Sequence, residues 1–229
     1  MFDGCRFLTS APALPATTLA NNCYSSMFSG CTSLTQAPEL PATILDDDCY
    51  SYMFNNCKSL TQAPELPATT LAIYCYNSMF SYCTSLTQAP ALPATALASS
   101  CYSGMFSGCS NLTAAPALPA TTLAIRCYSD MFSGCSNLTA APVIRTYTSG
   151  LEAYESILSM YDWNTSSWGK LTACIWNDLT ISEAESMVLN ESIFGYEGPR
   201  GGVRISITCK DGSGVASYDS SKYSWVFEY

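Results

Sequence analysis

The chain has 229 residues and a net charge of −9, and only 12 % of its residues are charged, about half the usual share. It contains no histidine, which excludes catalytic triads and acid–base pairs that depend on an imidazole. Its nine basic residues form no cluster, so it is a poor match for nucleic acid, which is bound through Lys and Arg. No apolar run is long enough for a membrane span, and no signal peptide is recognisable.

The first two-thirds of the chain repeats itself every 26 residues. A fixed period of this length predicts a solenoid, in which each repeat buries its apolar face only against its neighbours. The first unit begins at Met1 without a polar cap. We therefore expect that a part of the protein is missing here, or that the first turn docks on another chain. The repeat is marked by one cysteine column: Cys5, Cys31, Cys57, Cys83, Cys109 and Cys135.

The residue pattern of each repeat predicts a short strand followed by a short helix. The segment from Leu34 to Leu40 reads as an extended strand that ends at Pro41, and its prolines suggest positions where the missing N–H points away from the neighbouring turn. In the second half, apolar residues recur at i, i+4, i+8 and i+12, as on one helix face. Gly30 stands where such a helix would end. The helix face of this repeat consists of Leu19, Cys23, Met27 and Cys31.

Eleven of the thirteen cysteines fall into two columns in the repeat register. We interpret them as buried free thiols, because free cysteine is among the most buried residue types. Disulfides between adjacent turns are an alternative, although the odd total is unusual for a disulfide framework. Two cysteines of one helix, such as Cys23 and Cys31, would lie about 12 Å apart, too far for a bond. A metal site is not expected, since there is no CxxC motif and no histidine.

Variation between repeats marks the positions that face solvent. Core positions hardly change, because a close-packed interior penalises a change of volume, so specificity should lie among the variable positions. The run Asp46–Asp48 could attract a cation, as could Glu39 with Glu65, but the run occurs in one repeat only and is interpreted as a solvated turn. No catalytic residue, metal or cofactor is predicted. The predicted ligand-binding residues are Gln36, Glu39, Gln62, Glu65, Gln88, Tyr52 and Tyr74.

The repeat unit resembles the BspA-like leucine-rich repeats of bacterial surface proteins, most closely the variants common in gut Bacteroidetes and in phage-encoded proteins from the same environment. The resemblance covers residues 1–147. It implies a curved leucine-rich-repeat solenoid of α/β class with a parallel sheet on one side and short helices on the other. It also implies a role in adhesion or binding and no catalytic residues. In one repeat the matching positions are Leu34, Pro38, Leu40, Pro41, Leu45, Cys49, Met53, Phe54 and Cys57.

We predict that residues 148–229 form an α/β region that caps the open end of the solenoid. A separate small domain is the alternative. Its tryptophans and tyrosines are interpreted as the core of this region, and a sugar-binding surface is the alternative. Two helices are predicted, at 150–161 and at 180–190, the second begun by a capping box at Thr180 and Glu183. Residues 143–144 are predicted to form a last solenoid strand. Strands at 170–176, 203–210 and 223–229, with a turn at 211–214, are predicted to extend its sheet.

From the sequence we expect a non-enzymatic binding or adhesion module of a bacterial surface protein. It would recognise host protein, glycan or another cell through variable positions rich in Tyr, Ser and Asn, at the cell surface or in the extracellular space. The alternative is a phage or appendage component, located on the virion, that docks or self-associates through its uncapped first turn. A hydrolase in the C-terminal region is the least favoured class. It would have only carboxylates to use, such as Asp178, Glu183, Glu185 and Glu191.

Overall fold

The computed structural model describes residues 1–139 and five strands further along the chain. Residues 1–139 form a solenoid whose successive repeats stack in register. Backbone hydrogen bonds join neighbouring repeats, as from Leu19 N–H to the Ile44 carbonyl over 2.9 Å. The strands are β1 (Val143–Arg145), β2 (Thr172–Asn177), β3 (Arg204–Cys209), β4 (Val215–Asp219) and β5 (Ser224–Glu228).

The second half of each repeat is a run of overlapping turns, and the predicted short helix is wrong: residues 1–139 contain no helix. In this run every second N–H group donates to the carbonyl three residues earlier, as from Met27 to Tyr24 over 3.2 Å. Most N–H groups between them donate to the following repeat, as from Phe28 to Met53 over 2.9 Å. The turn run therefore depends on its neighbour for much of its hydrogen bonding.

The spacing of the buried residues explains why the helix prediction failed. They come in pairs every four residues, as Cys49–Tyr50 and then Met53–Phe54, followed by Cys57. An α-helix turns by about 100° per residue, so its apolar face would rotate by about 120° over twelve residues. Residues spaced exactly four apart therefore drift away from one face of a helix over this length. In a chain that makes a new turn every four residues, they all face the core.

Left-handed residues recur along each turn run. The value of φ is 60° at Asn22, 61° at Tyr24, 54° at Ser26 and 70° at Gly30. Glycine adopts this region without a steric penalty, and asparagine tolerates it better than most residues. The position of Gly30 in the sequence suggested the end of a helix. In the structure Gly30 instead continues the run of turns.

The strand half of each repeat forms isolated parallel bridges instead of a continuous sheet. Gln36 pairs with Gln62 in this way, and Thr70 pairs with Ala96. The parallel stacking predicted from the repeat is thus present at single positions. Prolines such as Pro38 lack the N–H that would extend the pairing into a ladder.

The interior of the solenoid consists of columns of identical side chains. Phenylalanine rings from Phe2 to Phe132 stack at centroid distances of 5.6 to 5.9 Å. Tyrosine rings from Tyr24 to Tyr128 stack at 5.8 to 6.1 Å. Such pairs contribute about 0.5 to 1.5 kcal/mol each beyond the area they bury. Each contribution requires the neighbouring repeat to be in place.

The five strands of the C-terminal region form one sheet in the order β1-β2-β3-β4-β5. The pairs β1–β2 and β2–β3 are parallel, and β3–β4 and β4–β5 are antiparallel. Strands β2, β3 and β5 confirm the predictions at 170–176, 203–210 and 223–229 to within a few residues, and β4 was not predicted.

Several predictions for the C-terminal region go beyond what the structure describes. The two predicted helices lie outside the described residues, so the cap and the boundary at residue 148 stay predictions. Strand β1 confirms the strand predicted at 143–144, in the segment assigned to the repeats, and it pairs with β2 as an extension of the sheet requires. Among the described residues, no helix has the length and hydropathy to cross a bilayer.

Gly108 and Gly4 form a matched test of how closely repeats pack along the turn run. Both have left-handed φ, 74° and 71°, so alanine at either site costs about 1 to 2 kcal/mol in backbone strain. A Cβ at Gly108 would also come within 2.6 Å of the Tyr82 ring, whereas a Cβ at Gly4 meets nothing within 4 Å. We expect Gly108→Ala to lower the free energy of unfolding in urea more than Gly4→Ala does. Equal losses would contradict the packing of Tyr82 over Gly108.

Candidate ligand-binding faces

The cysteine columns carry free, mostly buried thiols that act as hydrogen-bond donors. The Cys57 thiol donates to the carbonyl of Phe28 over 3.1 Å, and Cys75 of the second column donates to Asp46 over 3.2 Å. Each of these carbonyls lies 29 residues earlier in the chain, so the thiols tie one repeat to another. The same bond recurs in the first column at Cys31, Cys83, Cys109 and Cys135, over 3.0 to 3.1 Å.

Burial makes these thiols poor nucleophiles and poor metal ligands. It raises the pKa of Cys57, Cys75 and Cys135 to about 12, and both roles require the thiolate. In the part of the chain that the structure describes, no three Cys, Asp or Glu side chains come together as a metal site would require. The interior columns are therefore structural.

The Asp46–Asp48 run uses two of its carboxylates within the fold. The Asp46 carboxylate accepts the Asp47 N–H over 2.9 Å, and the Asp47 carboxylate accepts the Ile73 N–H of the next repeat over 2.9 Å. These bonds favour the interpretation as a solvated turn over that as a cation site.

A groove crosses the strand half of two neighbouring repeats, between the segments 61–67 and 87–93. One part has a volume of about 520 Å³ and is lined by residues that include Gln62 and Gln88. The adjoining part, of about 360 Å³, is lined by residues that include Glu65. The two parts share Ala63 and Pro90. They therefore form one continuous surface, the strand-face groove.

The strand-face groove combines free polar groups with an apolar floor. Gln62, Glu65 and Gln88 are exposed, and within residues 1–139 no hydrogen bond engages the two glutamine amides. Each amide offers both donors and an acceptor. The apolar part consists of Ala63, Leu66, Ala89 and Ala91 together with Pro64, Pro67, Pro90 and Pro93.

The structure brings three of the predicted binding residues together and separates the others. Gln62, Glu65 and Gln88 line the groove. Gln36 and Glu39 occupy the same columns one repeat earlier and are exposed. Tyr52 and Tyr74, each 45 % exposed, lie in turn runs instead. Both halves of the repeat bury their inward side chains in one core, so the outward side chains of the turn runs form a separate surface, the turn wall.

Sequence reasoning missed Tyr82, which is 56 % exposed. Tyr82 follows Tyr74 by eight residues, and outward positions of the turn run recur every four, so the two share the turn wall. A signal was present in the sequence, because no other repeat has an aromatic residue at this position. The equivalent residues are Gly4, Gly30, Asn56, Gly108 and Gly134.

Residues 1–139 match the family model of the BspA type leucine-rich repeat region in six copies. The chain belongs to the BspA-type leucine-rich repeat family. Comparison with curated proteins and with solved structures found no match. BspA-type repeats are typical of surface proteins and indicate a protein-binding repeat module. The match confirms the family inferred from the repeat unit and ends eight residues before residue 147.

Alkylation of the native protein by iodoacetamide distinguishes the thiols by burial. We expect Cys5, which is exposed, to react about a hundredfold or more faster than Cys57, because the reactive thiolate is scarce at a raised pKa. Mass spectrometry of chymotryptic peptides measures each site separately, because Phe2, Phe28 and Phe54 provide a cleavage site before Cys5, Cys31 and Cys57. Both should react fully in urea, which serves as the control. A disulfide-linked peptide joining Cys31 to Cys57 would contradict the free-thiol interpretation.

Stability should fall at alkaline pH. In the unfolded chain Cys ionises near pH 8.5 and Tyr near pH 10. In the folded chain burial raises the pKa of Cys57 and Cys75 to about 12 and raises the pKa of Tyr76 well above its usual value. Stability is therefore complete below about pH 8.5 and is lost as the pH rises towards the folded-state values, because only the unfolded chain releases these protons. The urea midpoint measured from pH 7 to 11 tests this, and a constant midpoint would contradict it.

Tyr76→Phe is the matching variant for alkaline sensitivity. The Tyr76 hydroxyl is buried without a hydrogen-bond partner among the described residues, so its removal should not lower stability at pH 7. The variant should lose less stability at pH 11 than the parent chain.

Proposed function

We propose that this chain is a non-enzymatic binding module of a surface protein and that the strand-face groove receives its protein ligand. The observation that carries the proposal is the pair of unengaged amides, Gln62 and Gln88, beside an apolar floor that is exposed to solvent. Because the surrounding repeats are fixed by ladders of hydrogen bonds and stacked rings, the groove is preorganised, which lowers the entropic cost of binding.

The chemistry of the groove favours an extended peptide segment as the ligand. A glutamine amide donates and accepts at once, as a peptide group does. Gln62 and Gln88 occupy one column in neighbouring repeats, so they can pair with the backbone of a segment that crosses the repeats. The proline rings beside them offer apolar contact to its side chains. Glu65 is the one charged residue of the lining, so recognition rests on hydrogen bonds and apolar contact.

Adhesion to host proteins, to mucin glycans or to another cell is the biological role that we propose for this module. The family supports it through its association with surface proteins. The alternative role, a component of a phage or an appendage that assembles through the first turn, predicts a tight symmetric oligomer in light scattering. The binding module is expected to be a monomer. Hydrolysis of any substrate in a glycan panel would contradict the non-enzymatic assignment.

The double substitution Gln62→Ala/Gln88→Ala tests the groove. The full chain is first screened on an array of extracellular matrix proteins, mucin glycans and bacterial polysaccharides, and each saturable hit is titrated by surface plasmon resonance. We expect the double variant to bind the matrix-protein hit about 10- to 30-fold more weakly, since each lost hydrogen bond contributes about 1 kcal/mol.

Gln36→Ala is the matched control, because it removes the same amide from the same column one repeat outside the groove. It should weaken binding less than either substitution in the groove. Unchanged affinity of the double variant would exclude the groove as the site. A glycan hit that depends on Gln62 and Gln88 would replace the peptide ligand with a carbohydrate.

A further inference from the structure

We propose that Tyr52, Tyr74 and Tyr82, together with Asp48, form a second interaction surface that docks a lysine- or arginine-bearing segment of a partner protein. This turn-wall patch shares no residue with the strand-face groove, so the proposal does not depend on the function proposed for the groove.

Backbone hydrogen bonds place the members of the patch next to one another. Asp48 N–H donates to the Ile73 carbonyl over 2.8 Å, which sets Asp48 beside Tyr74 in the next repeat. Tyr52 N–H donates to Asn77 over 2.8 Å, and Asn77 N–H donates to the Tyr74 carbonyl over 3.1 Å. Tyr52 and Tyr74 are therefore linked through one residue.

Tyr82 extends the patch along the same two repeats. Asn56 N–H donates to the Ser81 carbonyl over 2.7 Å, so Tyr82 lies beside the end of the turn run that contains Tyr52. All three tyrosines stand at outward positions of the run, which recur every four residues. The three tyrosines thus belong to two neighbouring repeats, and the Tyr82 ring lies over Gly108 of the repeat that follows. Ile73, 42 % exposed, adjoins Tyr74 in the chain.

The three tyrosines occupy backbone positions that suit a tyrosine poorly. Their φ values are 54° at Tyr52, 57° at Tyr74 and 59° at Tyr82, a region that is unfavourable for bulky residues. The buried tyrosines at such positions are compensated by stacking in the core, but these three are about half exposed. Because the turn run imposes this φ at the same positions in every repeat, the three tyrosines are present at a steric cost that burial does not offset. No other repeat has an aromatic residue at these positions, whose occupants are Asn22, Asp48, Ser100 and Arg126 for Tyr74, Ser26, Ser78, Gly104 and Asp130 for Tyr52, and Gly4, Gly30, Asn56, Gly108 and Gly134 for Tyr82.

The charge around the patch selects the partner. Asp48 belongs to the patch, Asp46 and Asp47 precede it in the chain, and Asp48 has no carboxylate hydrogen bond within residues 1–139. Lys58 is the one basic residue between positions 7 and 125. A cationic side chain would meet a carboxylate and aromatic faces at once, and tyrosine faces attract ammonium and guanidinium groups. An acidic or sulfated ligand would be repelled by the same carboxylates.

A fluorescein-labelled decalysine peptide, with decaglutamate as its counterpart, tests the patch on the full chain by fluorescence anisotropy. We expect saturable binding of decalysine alone, weakened by a rise in NaCl from 50 to 500 mM, since salt screens exposed charges. The triple variant Tyr52→Ser/Tyr74→Ser/Tyr82→Gly installs residues found in other repeats. It should bind decalysine about tenfold or more weakly, at about two- to fivefold per tyrosine, and should unfold in urea at the same or a higher midpoint.

Asp48→Asn and Glu65→Gln separate a local effect from the overall charge of the chain. Each removes one negative charge, but Asp48 belongs to the patch and Glu65 lines the groove. We expect Asp48→Asn alone to weaken decalysine binding, and Gln62→Ala/Gln88→Ala to leave it unchanged. Equal effects of the two charge variants, undiminished binding by the triple variant, or no binding of decalysine at all would each overturn the proposal. Preferential binding of decaglutamate would assign the patch to an anionic partner instead.

Discussion

The solenoid depends on how the N–H groups of each turn run divide their hydrogen bonds between their own repeat and the next. Alternate N–H groups close turns within a repeat, and most of those between them reach a carbonyl of the next repeat. A buried N–H without a partner costs about as much as a lost hydrogen bond, so a single repeat cannot satisfy its own backbone. Left-handed residues such as Asn22 and Gly30 are what make this alternation geometrically accessible. Stability is consequently shared between neighbours, as in other solenoids.

The side chains of the interior follow the same rule. A cysteine thiol is small enough for a close-packed column and still donates to a carbonyl of an earlier repeat, as Cys83 does to Phe54 over 3.1 Å. Serine would also donate, but its hydroxyl costs more to remove from water. The tyrosine column leaves polar groups without hydrogen bonds, since the hydroxyls of Tyr50, Tyr76 and Tyr102 lack partners among the described residues. Ring stacking offsets that cost.

The repeat, the family and the composition of the core could be predicted from the sequence because identical spacing requires identical stacking. The local conformation could not be predicted in the same way, since apolar residues at i, i+4 and i+8 fit both a short helix and a run of turns. Two features favour the turns: adjacent apolar pairs such as Cys49–Tyr50, and Gly, Asn or Asp at about half of the outward positions, which recur every four residues. Likewise, the prolines of the strand half indicated sparse pairing rather than a ladder.

The candidate sites were predictable as residues but not as surfaces. Variable columns identify exposed side chains such as Gln62 and Tyr74, but they do not show which of them share a wall. That requires the position of each residue within the turn run, where outward residues recur every four. On a core that allows almost no variation, two surfaces can change independently, because a substitution at Gln88 alters the strand-face groove and one at Tyr82 alters the turn-wall patch. A rigid repeat can thus acquire a second partner without disturbing the first.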